Sequence, residues 1–253
     1  MARLFLFLCT VEEETISERK KIINSFFIPV LFVVIMWAVK LLEVFTHSDF
    51  AQFGLTTGEL KGLKGILTMP FLHGDFKHMS GNSVPMLILG SLLYYFYNRV
   101  AGTVLLWVWF AGASWLWFVG HPGITHIGAS GIVYGLATFL FFMGVIRREY
   151  RSMVISLLVI FLYGSIFWGI FPIYKGVSWE GHLYGALAGL VAAIYFRKEG
   201  PPKIVYEWEN EVEVDEVIEE QPIDTNSDTA NSEIKINIIY KPTEPPENNS
   251  TDK

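Results

Sequence analysis

Cysteine is almost missing from this 253-residue sequence. Cys9 stands alone, and with no partner for an intrachain disulfide a disulfide-stapled secreted scaffold is excluded. Charge is also scarce, at 17% of residues against 52% apolar and a mean hydropathy of +0.39. That balance excludes a nucleic-acid binder and an ordinary soluble enzyme. The little charge present is unevenly placed. Residues 1–200 carry 15 Lys and Arg against 11 Asp and Glu, net +4, whereas residues 201–253 carry 4 against 14, net −10. Two different polymers meet near Pro201 and Pro202, and no internal repeat stands out.

What is there in quantity is long apolar runs. A helix needs about 20 residues to cross roughly 30 Å of hydrocarbon, and six candidate spans precede residue 200: 24–45, 78–97, 100–119, 130–146, 153–170 and 179–196. The start, MARLFLFLC, meets Glu12–Glu14 at once, which leaves no room for a cleavable leader. Basic residues gather at one set of span ends, among them Arg19, Lys20, Lys21, Arg99, Arg147, Arg148, Arg151, Arg197 and Lys198. The positive-inside rule then puts both termini in the cytoplasm, and spans two, four and six run inward. The long first outer loop, 46–76, is apolar enough to pack on or into the outer leaflet. The tail is rich in acid and proline and reads as disordered, with alternation at 211–217 and 233–240 that would suit a small hairpin. Aromatic-rich span three, with Trp107, Trp109, Trp115 and Trp117, reads as lipid contact and interfacial anchoring.

Polar residues inside spans are costly and therefore informative. Span two opens with His78 and Asn82, four apart on one helical face; span four opens with Gly128-Ala129-Ser130-Gly131; span six carries His182 in its first turn. Gly131 and Gly135 on span four, and Gly181, Gly185 and Gly189 on span six, keep the spacing that lets helix backbones approach closely in lipid. Ser130 and His182 lie at the outer ends of those two faces. A serine hydroxyl needs a base to become nucleophilic, and a neutral imidazole suits that role. Attack on an amide then requires oxyanion donors, for which the N–H at the helix start of Ser130, the Asn82 amide and the His78 imidazole are candidates. Tyr134, one turn below Ser130, can hold the His182 ring by stacking. Span four covers only roughly 25 Å at about 1.5 Å per residue, so 120–129 would dip in after Ser130, around a water-lined cavity. No HExxH occurs, and Asp49 and Asp75 both lie in the first loop, which disfavours intramembrane zinc and aspartyl proteases. His47, His121 and His126 read as ordinary loop residues or caps, Lys40 and Glu43 as a snorkelling or paired couple, and no metal, nucleotide or cofactor motif is evident.

Three separated motifs resemble those of the rhomboid intramembrane serine proteases: His73-Gly-Asp-Phe-Lys-His78-Met-Ser-Gly-Asn82, Gly128-Ala-Ser130-Gly-Ile-Val-Tyr134-Gly and Gly181-His182-Leu-Tyr-Gly185-Ala-Leu-Ala-Gly189. The resemblance implies an all-α membrane protein, a six-helix bundle over 22–198, with a cytoplasmic segment 1–21 before it and the acidic tail 199–253 after it. It implies a Ser130–His182 dyad without an acid member, cutting transmembrane protein substrates in or near their spans. His78 and Asn82 fall on oxyanion-side positions, and His73 on a position that organises the first loop. Gly128, Gly131, Gly185 and Gly189 are the supporting small residues. Substrates would enter by span five and the loop after it, with Phe167 and Trp168 as gating candidates. Rhomboids commonly carry a Trp-Arg pair in the first loop; here Leu63-Lys64-Gly65-Ile66-Leu67-Thr68 lacks it. No cofactor is implied, and a bacterial inner membrane fits the charge pattern. The competing reading is a proteolytically silent relative that binds or escorts transmembrane clients.

Overall fold

The computed structural model describes residues 2–173 and 176–201; of residues 2–15 and Ile166 it describes the backbone only. The alternating stretches expected in the tail lie outside the described residues. Helix α1 runs Ala2–Thr46, beginning well before the expected start at 24 and accommodating Pro29 in its interior. The first loop holds three 3-10 turns, the strand β1 (Leu55–Thr56) and the short helix α2 (Gly65–Thr68). Then come α3 (Phe76–Phe96), α4 (Asn98–Val119), the strand β2 (Thr125–His126), α5 (Ser130–Arg147), α6 (Tyr150–Tyr163), a 3-10 segment Gly164–Ile170, and α7 (Trp179–Tyr195).

Three helical stretches are long and apolar enough to cross a membrane: Ile16–Thr46 of α1, α4 and α5. Bulky apolar side chains such as Phe27, Val34, Leu42, Phe118, Leu157 and Phe161 are exposed on the helix flanks, as a lipid-facing surface requires. The buried core joins Met36 of α1, Met79, Met86, Leu89 and Leu93 of α3, and Leu136, Phe139, Leu140 and Met143 of α5. Helix α3 starts where Asp75 accepts a hydrogen bond from the His78 N–H at 2.7 Å, and α6 where Glu149 accepts one from the Ser152 N–H at 3.2 Å.

One expectation needs correction. The fifth apolar run suits one continuous helix over 153–170, but α6 ends at Tyr163 and the chain tightens into 3-10 turns from Gly164 to Ile170. Apolar composition does not distinguish the two conformations; Gly169 brings the segment against Tyr134, whose hydroxyl occupies the place a Cβ would take. The connections between α1 and α3 and between α4 and α5 contain a pair of strands. Antiparallel pairing sets Leu55 opposite His126 and Thr56 opposite Thr125, with the two threonine hydroxyls 2.9 Å apart, and ties the first loop to the segment that leads into Ser130.

Candidate functional site

Two bare glycine flanks build the site. A Cβ on Gly185 would lie 2.0 Å from the Gly131 carbonyl oxygen, and one on Gly189 2.1 Å from that of Gly135. The backbones of α5 and α7 therefore touch, which no other side chain would allow. Ser130 opens α5 and His182 sits in the first turn of α7, so this contact aligns their side chains. The Ser130 hydroxyl lies 2.8 Å from His182 Nε2. The other ring nitrogen, Nδ1, is 2.9 Å from the Gly169 carbonyl oxygen. A carbonyl only accepts, so Nδ1 carries the proton in the neutral ring and Nε2 presents its lone pair to the Ser130 O–H. The Tyr134 ring stacks on the imidazole at 4.1 Å and 7°. The imidazole is thus held by a carbonyl on its edge and an arene on its face.

The second wall comes from α3. Gly128 has a φ of +109°, in the left-handed range that favours glycine, and a Cβ there would lie 2.8 Å from Cε1 and 2.9 Å from Nε2 of His78, and 3.7 Å from Asn82 Nδ2. Two residues before Ser130, the chain therefore rests directly against both α3 side chains. Asn82 is buried and its amide donates to His73 Nε2 at 3.2 Å. Burial pushes His73 down to about 4, so its ring is neutral and free to accept. Its ring meets that of His78 edge-on at 5.1 Å. The Ser130 and Gly131 N–H groups open α5 at the same place, ahead of the first bonds of the helix, which Ile132 and Val133 make to the Ala129 carbonyl at 3.0 and 3.1 Å.

The motifs lie within a domain-length match: the rhomboid domain family covers residues 60–199, more than half of the chain. This chain belongs to the rhomboid family. With its apolar helices, it is an integral membrane protein of a family whose members are in general intramembrane serine proteases. It is 35% identical over 173 residues to the uncharacterized protein Rv1337 of Mycobacterium tuberculosis (strain H37Rv) and to Mb1372 of Mycobacterium bovis, covering 64% of this chain and 71% of each relative. The uncharacterized protein ML1171 of Mycobacterium leprae is 34% identical over 176 residues, 64% of this chain and 67% of its own.

This rhomboid lacks the Trp-Arg pair of the first loop, and the structure shows what ties the loop down instead. Lys40 of α1, only 8% exposed, donates to the carbonyls of His73 and Gly74, both at 2.9 Å, and to Glu43 at 2.7 Å. Glu43 in turn accepts from the Phe50 N–H at 3.0 Å. Two tryptophans read as lipid contacts are also loop anchors: Trp109 donates to the Ile66 carbonyl at 2.7 Å and Trp117 to the Glu59 carbonyl at 3.0 Å. An indole N–H lost to water needs such a partner.

A second cluster escaped sequence reasoning. Glu180, buried as the second residue of α7, accepts from His121 Nδ1 at 2.6 Å and from the His121 N–H at 3.1 Å. His126 lies 2.6 Å from the Ser178 hydroxyl, and burial lowers its pKa against the opposing pull of Glu180. These contacts fasten the loop before Ser130 to the start of the helix bearing His182. A carboxylate among the first residues of a helix was the available signal. Among the described residues, no group of three or more His, Cys, Asp or Glu side chains is arranged to hold a metal ion.

Proposed function

We propose that this rhomboid is an intramembrane serine endopeptidase, with Ser130 as nucleophile and His182 as general base. The observation that carries the reading is the 2.8 Å approach of Ser130 Oγ to the unprotonated Nε2 of His182. As Oγ bonds to the scissile carbonyl carbon, its proton passes to Nε2. The oxyanion that forms is met by the Ser130 N–H, the His78 imidazole and the Asn82 amide. When the tetrahedral adduct collapses, the amide C–N bond breaks and Nε2–H protonates the leaving amine. Water then attacks the acyl-enzyme with His182 again as base, releasing the second product and restoring Ser130. Tyr134 and the Gly169 carbonyl do the orienting that an acid member performs in a triad.

In this reading the protein spans the membrane six times, its fifth span completed by the 3-10 segment, with Ser130 and His182 toward the outer face and both termini in the cytoplasm of a bacterial cell. Substrates are transmembrane proteins. Their peptide bonds are shielded inside an intact helix, so cutting falls where Gly, Pro or small residues weaken the helix near that face. The test is cleavage of a transmembrane substrate by purified protein in bilayers. Ser130→Ala and His182→Ala should each abolish the cut while remaining folded. Retained cleavage in either variant contradicts the assignment, and a wild-type protein that binds the substrate without cutting it favours the silent reading.

A further inference from the structure

The end of the bundle away from Ser130 and His182 carries a cleft of about 400 Å³, lined by Ile146, Arg147, Arg148, Glu149, Arg197 and Lys198. That volume is enough for a small polar ligand. Its charge comes from two segments some fifty residues apart, the α5–α6 turn and the exit of α7. They are clipped together where Arg147 donates to the Glu199 carbonyl at 2.5 Å and the Pro201 carbonyl at 2.6 Å.

Four cations thus face one carboxylate, and Glu149 already caps α6 through its bond from the Ser152 N–H. Among the described residues, none of the four cations has a carboxylate within ion-pair distance. Arg148 ends α5 with a φ of +51°, the left-handed conformation that a helix normally gives to glycine. A strained backbone carrying a long cationic side chain at a cleft is a pointer to use. Just inside the cationic rim, Val145, Ile146, Ile194 and Tyr195 are exposed. The surface is therefore apolar toward the helices and cationic at their ends, the profile of one lipid molecule: acyl chains along the collar, phosphate in the cleft. A soluble phosphate would have no use for the collar.

We propose that this cleft is a binding site for the phosphodiester headgroup of an anionic membrane phospholipid. The bound lipid bridges the α5–α6 turn and the end of α7, the two helices whose other ends carry Ser130 and His182. Native mass spectrometry of the full chain, titrated with phosphatidylglycerol in a phosphatidylcholine background, tests it. Wild-type protein should retain one phosphatidylglycerol. Each removed cation should raise the dissociation constant about fivefold, so Arg197→Gln with Lys198→Gln weakens retention about 25-fold. Arg148→Gly deletes charge while relaxing the left-handed turn; it should weaken retention even as it leaves the fold intact. Equal retention by wild type and both variants overturns the site. Glycerol phosphate binding as tightly as the lipid overturns the membrane source.

Discussion

Replacing Gly185 by alanine probes the contact on which the site is built. The added Cβ would fall 2.0 Å from the Gly131 carbonyl oxygen and 2.9 Å from its Cα. Both are backbone atoms, so no side-chain rotation can relieve the clash. Restoring an ordinary separation of 3.4 Å requires α7 to retreat from α5 by about 1.4 Å. The Ser130–His182 hydrogen bond, now 2.8 Å, would lengthen toward 4 Å and cease to be one. A misplacement of about 1 Å costs about 100-fold in rate, and the overpacking itself costs about 1–3 kcal/mol of stability. Gly185→Ala should therefore still insert but cut a fluorogenic transmembrane substrate about 100-fold more slowly. Gly102→Ala on α4, where the nearest atom to the new Cβ is 4.0 Å away, is the control and should cut at the wild-type rate. Wild-type cleavage by Gly185→Ala would refute the claim that glycine contact sets the reacting distance.

Gly128→Ala should displace the His78 ring, whose nearest atom lies 2.8 Å from the new Cβ, and lower kcat about 10- to 100-fold with little change in KM; an unchanged kcat would remove His78 from the oxyanion site. Lys40→Met strands two carbonyls and the Glu43 carboxylate, so thermal unfolding in detergent should report a loss of about 3 kcal/mol; an unshifted Tm would show that the loop is held elsewhere. His73 is neutral in the fold with its pKa at about 4, below its unfolded value of 6.5. Its contribution is complete above pH 6.5 and drains away between 6.5 and 4, at up to about 1.4 kcal/mol per pH unit. His73→Gln should flatten that part of the Tm-against-pH curve, and an unaltered slope would mean that His73 is not the titrating group.

The geometry of the candidate site was more legible in the sequence than its scaffolding. Glycines at four-residue spacing on two apolar runs state a close helix contact directly, because in lipid nothing else explains so many bare positions on one face. The contact in turn implies where Ser130 and His182 meet. Other features were hidden for physical reasons. β1 and β2 are two residues each, too short for any periodicity, and their pairing joins segments about 70 residues apart. The end of α6 at Tyr163 falls within an unbroken apolar run, where hydropathy is blind to the change from α to 3-10 geometry. Lys40 and Glu43 were visible as neighbours, but the carbonyls that Lys40 holds lie more than thirty residues on. The Gly169 carbonyl that sets the His182 tautomer has no side chain to announce it.

A fluorophosphonate probe in detergent reads the central claim most directly, since it reports an activated serine without needing a substrate. Wild-type protein should be labelled at Ser130; Ser130→Ala should take up no label, and His182→Ala only a small fraction of the wild-type amount. Folded wild-type protein that resists the probe, or label that persists in Ser130→Ala, would contradict the account.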